Sequence, residues 1–414
     1  MYDTIILPNG VRVVAESMDG VRSAAVGVWV GVGSRMEKAG ESGSAHFIEH
    51  MLFKGTTQRN AARLAEDMDA LGGQFNAFTT RNSTCFYTHS LDTHLSFASE
   101  ILAEMFFESL FAQSDVESER GVILDEMGMY LDSPEDLVTE QLISRCFPGA
   151  LGRPILGRRA TLNQFTGESL RSFMQREYLP CRVVVSLSGS FTDRDVQQLC
   201  DRFSALTPRP ERRLAKAVYK PTTVLKRKST EQNQLCLAWE GLPIGSDDRF
   251  AWQTLSTIFG EGLSSRLFQT VREKFGLCYS IGSFTGSYEE TGLFGIGTAV
   301  GKDTEMKALS LIRDEVEKIR QDGVTEQELS RARELIKANM VMGLESTTSR
   351  MNRIGSGVLQ MGSCLSVDEV IDRYDAVTRD DVLRLARQVM VPEKLSFSAV
   401  GKVADENAYM EQLR

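Results

Sequence analysis

Histidine is scarce in this chain: 414 residues contain four, and all of them, His46, His50, His89 and His94, fall in the first half. A metal centre built on imidazole is therefore confined to that half. Cysteine offers no second route, since the seven cysteines are odd in number, widely spaced and without a Cys-x-x-Cys pair. That pattern excludes a paired-thiolate zinc site and a disulfide framework, and it suits reduced, mostly buried thiols in a cytoplasmic protein. Long apolar runs are missing too. The chain opens on a strand-like alternation instead of a charged region followed by an apolar stretch, so neither a signal peptide nor a membrane span is expected. Basic charge is in the minority, 47 Lys and Arg against 56 Asp and Glu, for a net charge of −9. This argues against a nucleic-acid partner and leaves basic peptides as favourable ones. The glycines at 27, 31 and 33 and at 260 and 262 give no G-x-G-x-x-G register, which excludes a dinucleotide loop. What is present, 42% hydrophobic and 25% charged residues, is enough for two sizeable domains.

The stretch with the most chemistry is His46-Phe47-Ile48-Glu49-His50. At about 100° per residue, positions 46, 49 and 50 share one third of a helix surface, so both imidazoles can reach one ion with Glu49 beside it. Ser42 or Ser44 can cap such a helix and Gly55 can stop it. Neutral His is a common Zn²⁺ ligand, and a carboxylate that does not bind the metal can take a proton from the attacking water. The alternative is two polar residues on an amphipathic helix. Two of four histidines one turn apart, with Phe47, Ile48, Met51 and Leu52 free to form the packing face, favour the metal, given a third ligand.

Around this helix the sequence predicts a hairpin over Thr4–Glu16 turning at Pro8-Asn9-Gly10, and a buried strand over Ala24–Gly33. A helix over about Asn60–Leu71 ends at Gly72-Gly73, and a strand from Gln74 to Thr80 returns through Thr84–His89. Left at a sheet edge, that strand can pair with an extended peptide. From about Ser114 a helix carries Glu119 and Glu126 seven residues apart on one face, and by spacing either could complete the zinc site.

A Pro-bounded charged stretch, Leu206–Arg213, has linker composition. Beyond it the order of elements repeats: a strand over Gln234–Trp239, helices over Asp247–Phe259 and Ser264–Phe275, a hairpin region over Cys278–Ala299 and a helix over Thr325–Gly343. Phe165-Thr166…Ser186-Leu187-Ser188-Gly189 matches Val377-Thr378…Ser398-Ala399-Val400-Gly401 at one offset. The expected fold is α+β, a duplicated unit with an N-terminal half over 1–210, a linker over 211–220 and a homologous C-terminal half over 221–414. The second half has no histidine and hence no equivalent zinc site.

The chain resembles the pitrilysin/insulinase family of zinc metallopeptidases, nearest to the mitochondrial processing peptidase β-subunit and its bacterial relatives, almost end to end. His46-Phe47-Ile48-Glu49-His50-Met51-Leu52-Phe53-Lys54-Gly55-Thr56 is similar to the family's inverted zinc motif, and Glu119-Arg120-Gly121-Val122-Ile123-Leu124-Asp125-Glu126 to its later helix. The resemblance implies one Zn²⁺ per chain held by His46, His50 and Glu126, with Glu119 supporting and Glu49 as general base and acid. Gly73-Gln74-Phe75-Asn76-Ala77 resembles the edge segment that binds substrate, implicating Phe75, Asn76 and Ala77. The segments Ser264–Gln269 and Val271–Ser280 resemble the family's second signature, which implies that Arg272 and Tyr279 face the zinc across a chamber. The implied architecture is a clamshell of two halves, each a mixed sheet flanked by helices. Where relatives commonly read Tyr-x-Pro-x-Asn, this chain has Tyr178-Leu179-Pro180-Cys181-Arg182. It also lacks the glycine-rich loop of the non-catalytic partner subunit, which favours a self-sufficient catalytic chain.

The expected function is zinc-dependent endoproteolysis of unfolded or presequence-like peptides, with basic residues near the cut, by a cytoplasmic homodimer. A non-catalytic peptide-binding or scaffold homologue is the other class considered.

Overall fold

Pro8-Asn9-Gly10 makes the first turn, with Gly10 at φ +98° in the region that favours glycine and its N–H donating to the Leu7 carbonyl at 2.8 Å. The computed structural model describes residues 2–212 and 214–413, so Arg213 of the expected linker lies outside them. Strands β1 (Asp3–Ile6), β2 (Arg12–Ser17), β3 (Ser23–Val30), β4 (Gln74–Thr79), β5 (Thr84–Leu91) and β6 (Val183–Gly189) form one sheet in the order β1-β2-β6-β3-β5-β4. Strands β7 (Thr223–Arg227), β8 (Asn233–Gly241), β9 (Cys278–Ser287), β10 (Gly292–Val300) and β11 (Ser396–Gly401) form the second, in the order β7-β11-β8-β10-β9. Apart from β1 the two orders are the same, each with one parallel pair, β2 with β6 and β7 with β11. The repeat read from the sequence is thus a repeat of topology.

The compact units are not the sequential halves expected. The first comprises Met1–Met127, Arg153–Ala215 and Met342–Leu365, and the second Gly128–Gly152, Lys216–Val341 and Ser366–Arg414. Each unit takes one helix from the far side of the linker. Strand β3 is buried along nearly its whole length, so both of its faces need cover. Val26, Val28 and Val30 join one core with Phe47 and Ile48, whereas Trp29 turns to the other face, where Val14, Val184, Ile354 and Val358 meet it. The last two belong to the helix Thr347–Met361. Its approach requires glycine, since a Cβ on Gly355 would sit 2.3 Å from Trp29 Nε1 and one on Gly27 would sit 2.3 Å from Met351 Sδ. In the second unit the helix Pro134–Cys146 covers Cys236, Ala238 and Val400 with Leu137, Val138, Leu142 and Ile143. A boundary drawn on linker composition cannot register this exchange, because what decides it is which sheet face each helix buries.

Arg182, the residue at which the sequence departs from the pattern implied by the resemblance, is buried. It bonds Glu177 and Glu211 at 2.9 Å each and the Arg212 carbonyl at 3.2 Å, tying the stretch after Leu206 to the first unit. No helix among the described residues is long and apolar enough to cross a membrane. All seven cysteines are free.

Candidate metal centre

The helix Ser44–Met51 buries Phe47, Ile48 and Met51 in the first core, leaving Glu49 and His50 half-buried on its other side. Neither serine caps it. Gly43 stands at φ +99°, and the Glu37 carboxylate accepts the N–H groups of Gly43 and Ala45 at 2.8 and 2.9 Å. A carboxylate six residues upstream does the work expected of a serine, favoured by the positive end of the helix dipole. The second element of the site is the helix Gln113–Asp132, which buries Val116, Glu119 and Ile123. Arg120 fixes it by donating to the Leu162 and Phe165 carbonyls at 3.0 and 2.8 Å.

Together these two helices bring His46, His50 and Glu126 to one point. Their ligand atoms lie within 4.8 Å of one another, with His46 Nε2 and His50 Nε2 at 3.6 and 3.7 Å from the same Glu126 oxygen. Those separations are too long for hydrogen bonds. Burial, with a smaller contribution from His50, pulls the His46 pKa down to about 3. The ring is therefore neutral and its approach to Glu126 is not an ion pair. His46 Nδ1 is buried without a hydrogen-bond partner. Zinc bonds of about 2.0–2.1 Å at tetrahedral angles put ligand atoms roughly 3.4 Å apart, close to the spacing found, so the donor set fits Zn²⁺. Burial also raises the pKa of Glu126, with His50 pulling against it.

The two candidate glutamates occupy different places. Glu126 faces both Nε2 atoms, whereas Glu119 accepts from His50 Nδ1 at 3.0 Å and pairs with Lys54 Nζ at 2.7 Å. Glu49, the remaining carboxylate, accepts from Thr79 Oγ1 at 2.5 Å. Burial raises its pKa, and the Thr79 bond and His50 partly offset that rise. Thr79 Oγ1 is also 3.3 Å from Thr84 Oγ1, which donates to the Val32 carbonyl at 2.9 Å.

Strand β4, which carries Thr79, is the outer strand of its sheet. Asn76 is exposed on it, and Phe75 and Ala77 pack partly against the core. Arg272 and Tyr279 belong to the second unit. The regular helix expected over Ser264–Phe275 is instead π-wound from Phe268 to Lys274, the wider winding that often marks functional segments. The Arg272 guanidinium lies 4.5 Å from the Phe268 ring and 5.3 Å from the Tyr279 ring. Gly276 at φ +61° ends the turn, and Tyr279 stands 78% exposed near the start of β9. Sequence reasoning missed Thr79 and Lys54. Thr79 shares the strand face of Phe75 and Ala77, and Lys54 lies one helical turn beyond His50, which are the signals that could have found them.

Residues 12–159 match the family model described as Insulinase (Peptidase family M16), and residues 164–336 match the one described as Peptidase M16 inactive domain. The chain belongs to the insulinase family, peptidase family M16. It is 39% identical to the uncharacterized zinc protease YmxG of Bacillus subtilis, over 93% of this chain and 95% of the relative. An uncharacterized zinc protease of Streptomyces coelicolor is 38% identical, over 97% and 90%. The crystal structure of a Helicobacter pylori protease matches with TM-score 0.88 at 20% identity, covering 97% of this chain and 99% of that one. At that identity the likeness is one of fold. All four histidines of this M16 chain lie within the first matched segment.

Proposed function

We propose that this chain is a zinc-dependent endopeptidase acting on unfolded peptides, with His46, His50 and Glu126 as ligands of a single Zn²⁺. The observation that carries the reading is the convergence of the His46, His50 and Glu126 ligand atoms, with a non-ligand carboxylate, Glu49, on the helix of the two histidines. The relatives named zinc proteases support the choice of metal. Zinc supplies a Lewis acid at the scissile carbonyl and makes water nucleophilic near neutral pH. Glu49 takes the proton from the attacking water and returns it to the leaving amine. A pKa raised by burial suits a group that must hold that proton between the two steps. Thr79 keeps the carboxylate turned toward this task. The outer strand β4 offers backbone groups to an extended substrate, with Asn76 bonding its main chain and Phe75 and Ala77 flanking it.

The same reading gives Arg272 the role of holding substrate carbonyls and Tyr279 that of donating to the developing oxyanion. What supports these roles is the Arg272 guanidinium, on a π-wound segment, lying over the ring of Tyr279 at the start of β9, and the exposure of Tyr279. Acidic net charge favours substrates with basic residues near the cut. Seven free thiols agree with a reducing compartment and hence a cytoplasmic enzyme.

The test is digestion of a mixed library of unfolded peptides, read by mass spectrometry, by the wild type and by Glu49→Gln. Cleavage by the wild type should vanish with a chelator and return with zinc. Glu49→Gln should keep its zinc and lose roughly 10²- to 10⁴-fold in turnover. Near-normal turnover in that variant removes Glu49 from the mechanism.

A further inference from the structure

We propose that Lys54 is a positioning residue of the metal centre, holding the buried carboxylate of Glu119 against His50 so that His50 Nε2 is presented to the cation. The inference rests on the reading of His46, His50 and Glu126 as ligands and goes beyond it, because Lys54 acts through Glu119.

The side chain of Glu119 is 5% exposed and that of Lys54 is 35% exposed. Its two oxygens are divided between two partners. One receives His50 Nδ1 at 3.0 Å and the other meets Lys54 Nζ at 2.7 Å. With both oxygens engaged the carboxylate cannot rotate about its terminal bond. His50 then keeps its proton on Nδ1 and leaves the Nε2 lone pair toward Glu126 and His46. A carboxylate this deeply buried is costly without a counter-charge, and an imidazole whose other nitrogen serves as a metal ligand brings it a hydrogen bond but no counter-charge. Lys54 supplies the charge.

The backbone explains why a flexible lysine is held there. The metal helix ends at Met51, and the N–H groups of Phe53 and Lys54 continue onto the carbonyls of His50 and Met51 at 3.2 and 3.1 Å. Lys54 thus follows His50 by four residues, the spacing that brings side chains together on one face. Gly55 then takes φ +111°, and a Cβ there would lie 3.1 Å from the Arg59 carbonyl. The competing account is a lysine favoured by the helix C-terminal dipole alone, a contribution that would not depend on Glu119.

The experiment measures zinc affinity by competition with a chromophoric chelator, for the full-length wild type, Lys54→Met, Lys54→Arg, Glu119→Gln and the double variant Lys54→Met/Glu119→Gln. Melting curves of the apo proteins establish folding. Lys54→Met should bind zinc about 10- to 100-fold more weakly, the loss typical of a disturbed partner of a metal-bound His. Lys54→Arg should recover most of it, and in the Glu119→Gln background Lys54→Met should add no further loss. Wild-type affinity in Lys54→Met, or losses that multiply in the double variant, would overturn the assignment. Where Lys54→Met does not fold, Lys54→Gln takes its place with the same two outcomes. A wild type that binds no zinc instead defeats the metal reading itself, and this inference with it.

Discussion

The helix after β3 and the helix after β8 occupy matching places in matching sheets, yet they leave opposite chemistry behind them. Helix Ser44–Met51 presents two imidazoles whose Nε2 atoms both face the Glu126 carboxylate, at 3.6 and 3.7 Å, beyond hydrogen-bonding distance. Helix Arg249–Gly260 carries no histidine, and the carboxylate at its end, Glu261, is filled by Gln253, Ser256 and Thr257 at 3.0, 2.7 and 3.1 Å. The later helices match more closely still. Arg120 donates to the Phe165 carbonyl and Arg333 to that of Val377, each just ahead of a capping threonine, Thr166 or Thr378. One residue before each arginine the first unit buries Glu119 and the second buries Ala332. The difference teaches that a shared scaffold fixes where side chains meet, while a few substitutions decide whether the meeting point is left for an ion or closed by the protein's own polar groups.

The largest effect should come from breaking the site that depends on an ion. His50→Ala or Glu126→Gln should bring zinc content from about one ion per chain to near zero and hydrolysis to background, because two ligands rarely retain a catalytic zinc. The contrasting variant Glu261→Gln should leave zinc content and turnover within about twofold, since its carboxylate bonds Gln253, Ser256 and Thr257 and none of the ligand residues among those described. Metal analysis with peptide turnover checks both. Retention of zinc by His50→Ala would end the contrast between the two helices.

A smaller but still catalytic effect should appear in the second unit, where metal ligands are missing but an exposed phenol is not. Tyr279→Phe removes one hydroxyl and should lower kcat by roughly ten- to a thousandfold with zinc unchanged, the range for loss of one oxyanion donor. The ring stays, so its stacking on Arg272 is kept. An unchanged kcat would remove Tyr279 from the reaction.

These contrasts also mark what could be read in the sequence. Local spacing carries the hairpin at Pro8-Asn9-Gly10 and the grouping of His46, Glu49 and His50, because turn chemistry and helical period are properties of a few adjacent residues. The choice between Glu119 and Glu126 could not be read this way. Both share a helix face, and only contact with a segment some seventy residues earlier separates them, one meeting His50 Nδ1 and the other both Nε2 atoms. For Thr79 and Lys54 local spacing gives the face but not the partner, Glu49 for one and Glu119 for the other. The exchange of helices Pro134–Cys146 and Thr347–Met361 between units depends on which sheet face each apolar stripe buries, and periodicity reports a stripe without reporting its partner. The π-winding at Phe268–Lys274 has no period of its own in seven residues.

The smallest effect concerns how the two units answer acid. In the first unit burial raises Glu49 and Glu126. In the second, burial pushes Glu328 up as well, but Arg266 and the Thr325 N–H outweigh it and hold the carboxyl at about 2. The pair is bidentate, Arg266 Nε and Nη2 donating at 2.7 and 2.9 Å, and the Thr325 N–H adds a bond of 2.7 Å. A folded-state value below the ordinary 4.5 means that the folded protein binds fewer protons than the unfolded chain across that interval. The stabilisation is therefore complete above about pH 4.5 and is lost as pH falls toward 2, and it amounts to on the order of 1–3 kcal/mol for a side chain that is mostly out of solvent. Glu328→Gln should melt several degrees below the wild type at pH 7, and the gap should narrow to about half by pH 3 and close only near pH 2, as the wild type loses the same interaction. A gap of equal size at pH 7 and near pH 2 would mean that Arg266 holds Glu328 by packing and hydrogen-bond geometry, with its charge contributing nothing.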